Sequence, residues 1–343
     1  MSSARQRFGD LMSGQLPDRV PVVCNLLEQG AKEMGMSIKD YYSKGENVAY
    51  GQIRLIEKYG HDVAWAFHYT ASDAEMLGSK KSIFPDDGPP NVGHLIIKSI
   101  EDIHKLKIDS RIFNTKSHQE LLKTIDILKT ELGKEYPILS AVVGSYSMPA
   151  ILMGIEKWME LLFTPQAGEA VNLLYEKCSQ FVNLRCQALL EAGVDMIIYN
   201  NPLASAAFIT ADEFKKKALP WIHKDVQTTG TAGMVYFNGG GEINPMLPAL
   251  VEHSGFGAFY INPMDDIREA KQIVNGKGLV AAPINDIKLL RFNEEEVKNE
   301  VERIISEGKE GGGFIFGTLV MPYGIPEHTI RSMINVAKQA GQY

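Results

Sequence analysis

The feature that most constrains this chain is a rhythm. Short apolar runs recur at residues 20–23, 62–67, 138–143, 196–199, 234–237, 258–261, 279–282 and 314–316. They are rich in β-branched and aromatic residues, stop at Gly, Asn or Pro, and do not alternate with polar residues. That is how strands buried on both faces read. Amphipathic stretches fill the intervals. Residues 157–192 predict two helices broken near Pro165, and Thr210-Ala-Asp-Glu213 is a capping box that opens another. A third helix runs over 293–308 and stops on Gly308. Eight strands alternating with helices predict an α/β fold, a (β/α)8 TIM barrel. The rival, an open doubly wound sheet, needs a glycine-rich phosphate turn after its first strand. Cys24-Asn-Leu-Leu-Glu-Gln-Gly30 is not one.

A chain of 343 residues is long for one domain by the usual scale, yet barrels reach this size undivided. The expected organisation is therefore a single domain over 1–343, with an N-terminal helical extension at 1–18. Asp86-Asp-Gly-Pro-Pro90 is a strong turn, so residues 73–99 predict a hairpin excursion over the barrel mouth.

With 35 basic against 42 acidic residues and a formal charge of -7, the chain lacks the basic surface that a nucleic-acid binder needs. No apolar stretch approaches the roughly 18 residues of a membrane span, and the first residues do not read as a signal peptide. Three scattered cysteines (Cys24, Cys178 and Cys186) make no disulfide framework, so a reducing cytoplasm is expected.

Chemistry in a barrel sits at the C-terminal ends of the strands. Read in order, those positions carry Asn25 and Glu28; His68, Tyr69, Asp73 and Glu75; Ser145 and Tyr146; Asn200, Asn201 and Ser205; Asn238 and Glu242; Asn262 and Asp265; Asn285 and Asp286; Thr318 and Tyr323. Such a rim is rich in amides, carboxylates and tyrosines and poor in cations. It suits a neutral or cationic small molecule and is badly equipped for a polyanion. Each residue also has a plainer reading. Asn after a strand is most often a turn former or helix cap, Asp265, Asp266 and Asp286 can cap helices, and His68 can be a satisfied core histidine. Gly239-Gly-Gly241 before Glu242 lets backbone approach a ligand closely.

Three motifs then carry a family resemblance. Val143-Gly-Ser-Tyr-Ser-Met-Pro-Ala-Ile-Leu-Met-Gly154 resembles the glycine-led loop after the third strand in the uroporphyrinogen decarboxylase superfamily. Ala192-Gly-Val-Asp-Met-Ile-Ile-Tyr-Asn-Asn-Pro-Leu-Ala-Ser205 is similar to its Ala-Gly-Ala-Asp strand. The segment from Phe314, with Pro322 and Pro326, is similar to its closing strand and turn. The resemblance spans residues 5–340 and implies a TIM barrel.

True decarboxylases of that superfamily hold a porphyrinogen's carboxylates with an arginine-rich first loop. Here that loop is Asn25-Leu-Leu-Glu-Gln-Gly-Ala31, with no arginine between Arg19 and Arg54, and Tyr69 stands where their essential aspartate would be. Bidentate arginine is what such recognition requires. The segment 70–78 instead looks like the acidic stretch of the corrinoid-dependent methyltransferase branch, with Asp73 and Glu75 at its acidic positions. Thiol-methylating members bind zinc through His-x-Cys and a later Cys. Asn238, Gly240 and Leu319 or its neighbour occupy those positions here, so zinc is not expected.

The resemblance implies a methyltransferase that moves a methyl group from a small O- or N-methylated substrate to cob(I)alamin. Cobalamin would come from a partner corrinoid protein, because no Asp-x-His-x-x-Gly cobalamin signature occurs here. Glu242, Tyr69, His68 and Glu28 are the candidate catalytic residues. Asn25, Tyr146, Asn200, Asn201, Asn238, Asn262, Asn285 and Tyr323 are the candidate substrate contacts. Any metal would be a hard-ligand Lewis acid on Glu28, His68, Glu75 or Glu242. The alternatives are a methylcorrinoid:acceptor methyltransferase using a folate or thiol, a decarboxylase, and a non-catalytic module that binds a corrinoid carrier. A homodimer is compatible with all of them.

Overall fold

A computed structural model describes residues 2–343. Eight parallel strands form the barrel: β1 (Val22–Asn25), β2 (Ala64–Trp65), β3 (Ile138–Val143), β4 (Met196–Asn200), β5 (Met234–Phe237), β6 (Ala258–Tyr260), β7 (Leu279–Ile284) and β8 (Phe314–Val320). Hydrogen-bonded ladders run from β1 through β8 and back to β2, with register pairs such as Val22 with Phe316 and Tyr199 with Tyr236. The last seam, between β1 and β2, is closed by one backbone bond, Asp62 N to Val22 O at 2.8 Å.

All eight expected strands are present, with altered ends. β2 is shorter than residues 62–67, and Asp62 turns its side chain to the barrel floor, where it receives Arg19 and the Val22 amide. β8 is longer than expected and continues through Gly317, where a Cβ would lie 2.0 Å from the Tyr260 hydroxyl. Only glycine lets the Tyr260 ring cross the barrel there.

Strand alternation divides the apolar side chains into two layers. Val23, Trp65, Leu139, Ile198, Val235 and Ile315 fill the barrel, whereas Ile197, Tyr199, Tyr236, Phe259 and Phe316 face the helices. The predicted pair of helices is observed as Ile155–Leu162 and Gly168–Ala192, separated by a tight turn at Pro165–Ala167. Thr210 and Glu213 form the expected capping box, and Asn293 forms another with Glu296 ahead of Glu294–Gly308. After the first box the chain adds a wide turn, Phe214–Ala218, that its pattern did not announce.

The N-terminal extension is helical only over Ala4–Met12, shorter than the expected 1–18. Its Phe8 and Leu11 sit against the lower barrel interior. Arg7 and Arg19 both pair with Asp62, which ties this segment to the floor. In the excursion after β2, Ser82–Ile83 and Asn91–Val92 pair as an antiparallel hairpin. No helix among the described residues is long and apolar enough to cross a membrane.

Candidate functional site

The upper end of the barrel places the loop after β1 beside the loop after β2. Glu28, three residues past β1, is only 2% exposed, and its Oε1 accepts from the Tyr42 hydroxyl at 2.9 Å. Burial pushes the Glu28 carboxyl above the usual carboxylate range, and the tyrosine bond only partly offsets this. Tyr42 packs edge-on against Tyr69 with ring centroids 5.3 Å apart. The Tyr69 hydroxyl donates to Glu75 at 3.2 Å, and Ser82 of the hairpin donates to the same carboxylate. Phe84 of the hairpin packs on Tyr69, and Tyr323 joins the cluster from the loop after β8. The Lys32 ammonium lies 4.2 Å from the Tyr323 ring centre. Glu28, Tyr69, Glu75 and Tyr323 are therefore gathered in one corner of the mouth.

Around the rest of the mouth stand buried amide oxygens without partners. Asn25 follows Val23 in strand phase and Asn200 follows Ile198, so both lie on the inward face. Asn25 Oδ1, Asn200 Oδ1 and Asn238 Oδ1 have no hydrogen-bond partner. Unsatisfied buried acceptors are costly unless something donates to them. Phe67, Phe237 and Leu319 supply apolar wall between them.

Other expected site residues have different duties. His68 turns toward the helix Lys116–Leu132, where its Nε2 meets Thr124 Oγ1 at 3.0 Å. Burial, with Arg185 nearby, pushes the His68 ring down to about 3, so it is a neutral packing residue. Glu242 is exposed and its carboxylate makes no hydrogen bond or ion pair; its main-chain oxygen accepts from Asn238 Nδ2 at 3.2 Å and from Ala206 N at 3.3 Å. Tyr146 lies in the outer shell, stacked on Tyr175 at 5.3 Å. Asn201 is also outside the mouth, accepting from Ser147 Oγ at 2.5 Å. Asn285 caps a short helix by accepting from Lys288 N at 2.9 Å. Asn262 shapes its loop, donating to the Gly240 carbonyl and accepting from Met264 N at 2.7 Å. Asp265 likewise staples that loop to Ile243 and Asn244.

Among the described residues no three His, Cys, Asp or Glu side chains gather closely enough to hold an ion. The positions of the zinc-binding pattern do coincide in space, since a Cβ on Gly240 would lie 3.7 Å from Leu319 Cδ1. With an amide, a glycine and a leucine there, they offer no zinc donor set.

Tyr42 was not singled out from the sequence, and neither was Ser82. The signal available for Tyr42 was the Tyr41-Tyr42 pair just past a capped turn, Ser37 to Ile38–Tyr41.

The uroporphyrinogen decarboxylase (URO-D) family model matches residues 3–340. The chain belongs to this family. Within it, the chain is similar to the methylcobamide:CoM methyltransferase MtbA of Methanosarcina mazei, 25% identical over 97% of both sequences. It is also similar to the methylcobamide:CoM methyltransferase MtaA of Methanosarcina barkeri, 18% identical over 87% of both. A solved structure described as a methyltransferase from Methanosarcina mazei superposes with a TM-score of 0.86, covering 99% of each chain at 15% identity. The URO-D barrel is thus the fold, and the similar sequences are those of the corrinoid-dependent methyltransferase branch.

Proposed function

We propose that this chain is a corrinoid-dependent methyltransferase. It moves a methyl group from a small O- or N-methylated substrate to a corrinoid carried by a partner protein, in the reducing compartment that its three buried free thiols suit. The names of the similar sequences support the methyl transfer and the corrinoid. The observation that carries the substrate side is Glu28, a buried acid held by one tyrosine and no cation, beside a mouth that offers zinc no ligands.

A methyl ether is a poor donor because an alkoxide leaves badly. In the proposed step the C–O bond breaks with its electron pair going to oxygen, and that oxygen takes the proton of the Glu28 carboxyl. Tyr42 donates to Oε1, which leaves Oε2 to carry the proton. The corrinoid supplies the electron pair that receives the methyl group. Asn25, Asn200 and Asn238 offer amide oxygens to a hydroxyl or N–H of the donor, or to the charge of a methylated ammonium. A quaternary nitrogen already leaves as a neutral amine and needs no proton from Glu28. Solvent restores the proton afterwards.

The test is methyl transfer from a panel of aryl methyl ethers and methylated amines to cob(I)alamin, free and on a cognate carrier. Turnover of one donor class supports the reading, and none across the panel removes it. The reverse reading, from methylcobamide to a thiol, is favoured by the names of the similar proteins. Demethylation of methylcobalamin by coenzyme M at a rate above that of any donor would replace the first reading with it.

A further inference from the structure

The barrel is open at the end opposite the mouth. A cleft of about 850 Å³ enters the floor between the N-terminal helix and the first residues of β4 to β8. Its inner wall consists of inward side chains, among them Met196, Val235, Ala258 and Ile315. Much of the remaining wall is glycine backbone, including 311–313, which leaves the space unfilled. Exposed Met12 and Leu16 carry the apolar lining out to the entrance.

Two lysines line the cleft, Lys271 and Lys277, and no Asp or Glu does. Lys271 is half-buried, and its ammonium donates to the Gly312 carbonyl. Burial lowers its pKa, since no anion compensates the desolvated charge. A ligand that supplied a carboxylate at Lys271 and hydrocarbon to the walls would satisfy both. The volume is within the range of small-molecule sites.

We propose that this floor cleft binds an apolar monocarboxylate, its chain against the inward strand residues and its carboxylate on Lys271. The site is independent of the chemistry assigned to the mouth.

Calorimetric titration of the full chain with decanoate, and with decanamide as an uncharged probe, tests this. Decanoate should bind saturably at one site, with decanamide about tenfold weaker, as a charge-assisted contact implies. Lys271→Met should bring decanoate down to the level of decanamide. A Cβ on Gly257 meets nothing within 4 Å, so Gly257→Leu should fill the cleft and abolish binding of both probes. That second variant decides the matter should Lys271→Met fail to fold. The proposal is overturned by absence of saturable binding, by equal affinity for the two probes, or by binding that survives Gly257→Leu. It is equally overturned if sedimentation finds a dimer that Leu16→Asp dissociates and decanoate leaves intact, since the cleft is then an interface between copies.

Discussion

Asp62 at the floor of the barrel and Glu28 at its mouth are equally buried, each about 2% exposed. Their surroundings are opposite. Asp62 receives Arg19 through two bonds of 2.7 and 2.9 Å, Arg7 at 3.0 Å and the Val22 amide at 2.7 Å. Glu28 receives one tyrosine hydroxyl and no cation. Burial of a charge is tolerated where it is paired, and otherwise the group holds its proton. The floor carboxylate is thus an anchor that joins the N-terminal segment to β1, whereas burial without a cation shifts the mouth carboxyl above the usual carboxylate range.

The strongest way to break this contrast is Glu28→Gln, which keeps shape and a hydrogen-bonding end but cannot give up a proton. For an ether donor, kcat should fall by about 10²–10⁴-fold, the usual contribution of a general acid, with the thermal midpoint little changed. In the proposed step Glu28 acts in its protonated form, so wild-type turnover should decline as pH rises through its raised pKa, and that limb should vanish in the variant. A glutamine enzyme with wild-type turnover and an unchanged pH profile removes Glu28 as the donor. At the floor the expectation is reversed. Asp62→Ala strands the nearly buried Arg19 guanidinium, while Arg7 keeps its pair with Asp18, and should cost about 3–5 kcal/mol of stability in denaturant titrations, while turnover per folded molecule stays near wild type.

How much of this was legible differs between fold and site. The barrel was legible because most buried strands read as apolar runs met by Asn, Gly or Pro, although β7 and β8 continue through Pro283 and Gly317. The amide-rich rim was legible too, but not which amides face inward, because a one-residue change of strand phase exchanges mouth for outer shell. Asn25 and Asn200 fall on the inner side and Tyr146 and Asn201 on the outer. His68 is misleading for a related reason: it sits at a strand end in sequence, yet Thr124 draws it behind the barrel. For Tyr42 the Tyr41-Tyr42 pair was visible, but nothing periodic in a four-residue helix tells which way the loop after β1 folds back.

Asp225 stands between the two extremes and gives a smaller effect. It is fully buried, accepts from the Ser145 amide at 2.7 Å and the Tyr199 hydroxyl at 2.5 Å, and has no cation. Burial pushes its carboxyl up to about 6, above an unfolded aspartate near ~3.9. The folded state therefore holds the proton more tightly. That stabilisation is complete below the unfolded pKa and is lost as pH rises through the folded value. Between pH 4 and 7 it should amount to roughly 2–3 kcal/mol. Urea titrations across that window should show the loss in the wild type and a flatter profile in Asp225→Asn. Parallel profiles would assign the pH dependence to another buried carboxyl of the same sign, such as Glu28 or Asp73.

The smallest effect separates two amides that look alike in sequence. Asn285 and Asn25 each stand at the end of a strand, but Asn285 Oδ1 is occupied by the Lys288 amide at 2.9 Å, whereas Asn25 Oδ1 is buried and unpartnered. A capping asparagine contributes to stability, so Asn285→Ala should lower it by about 1 kcal/mol and leave KM and kcat unchanged. Asn25→Ala removes an acceptor that nothing in the protein uses, so its effect should fall on KM for the donor and barely on the thermal midpoint. Stability curves and steady-state kinetics on the pair check both halves. A KM shift in Asn285→Ala would return that residue to the mouth, and a stability loss confined to Asn25→Ala would show its amide to be structural after all.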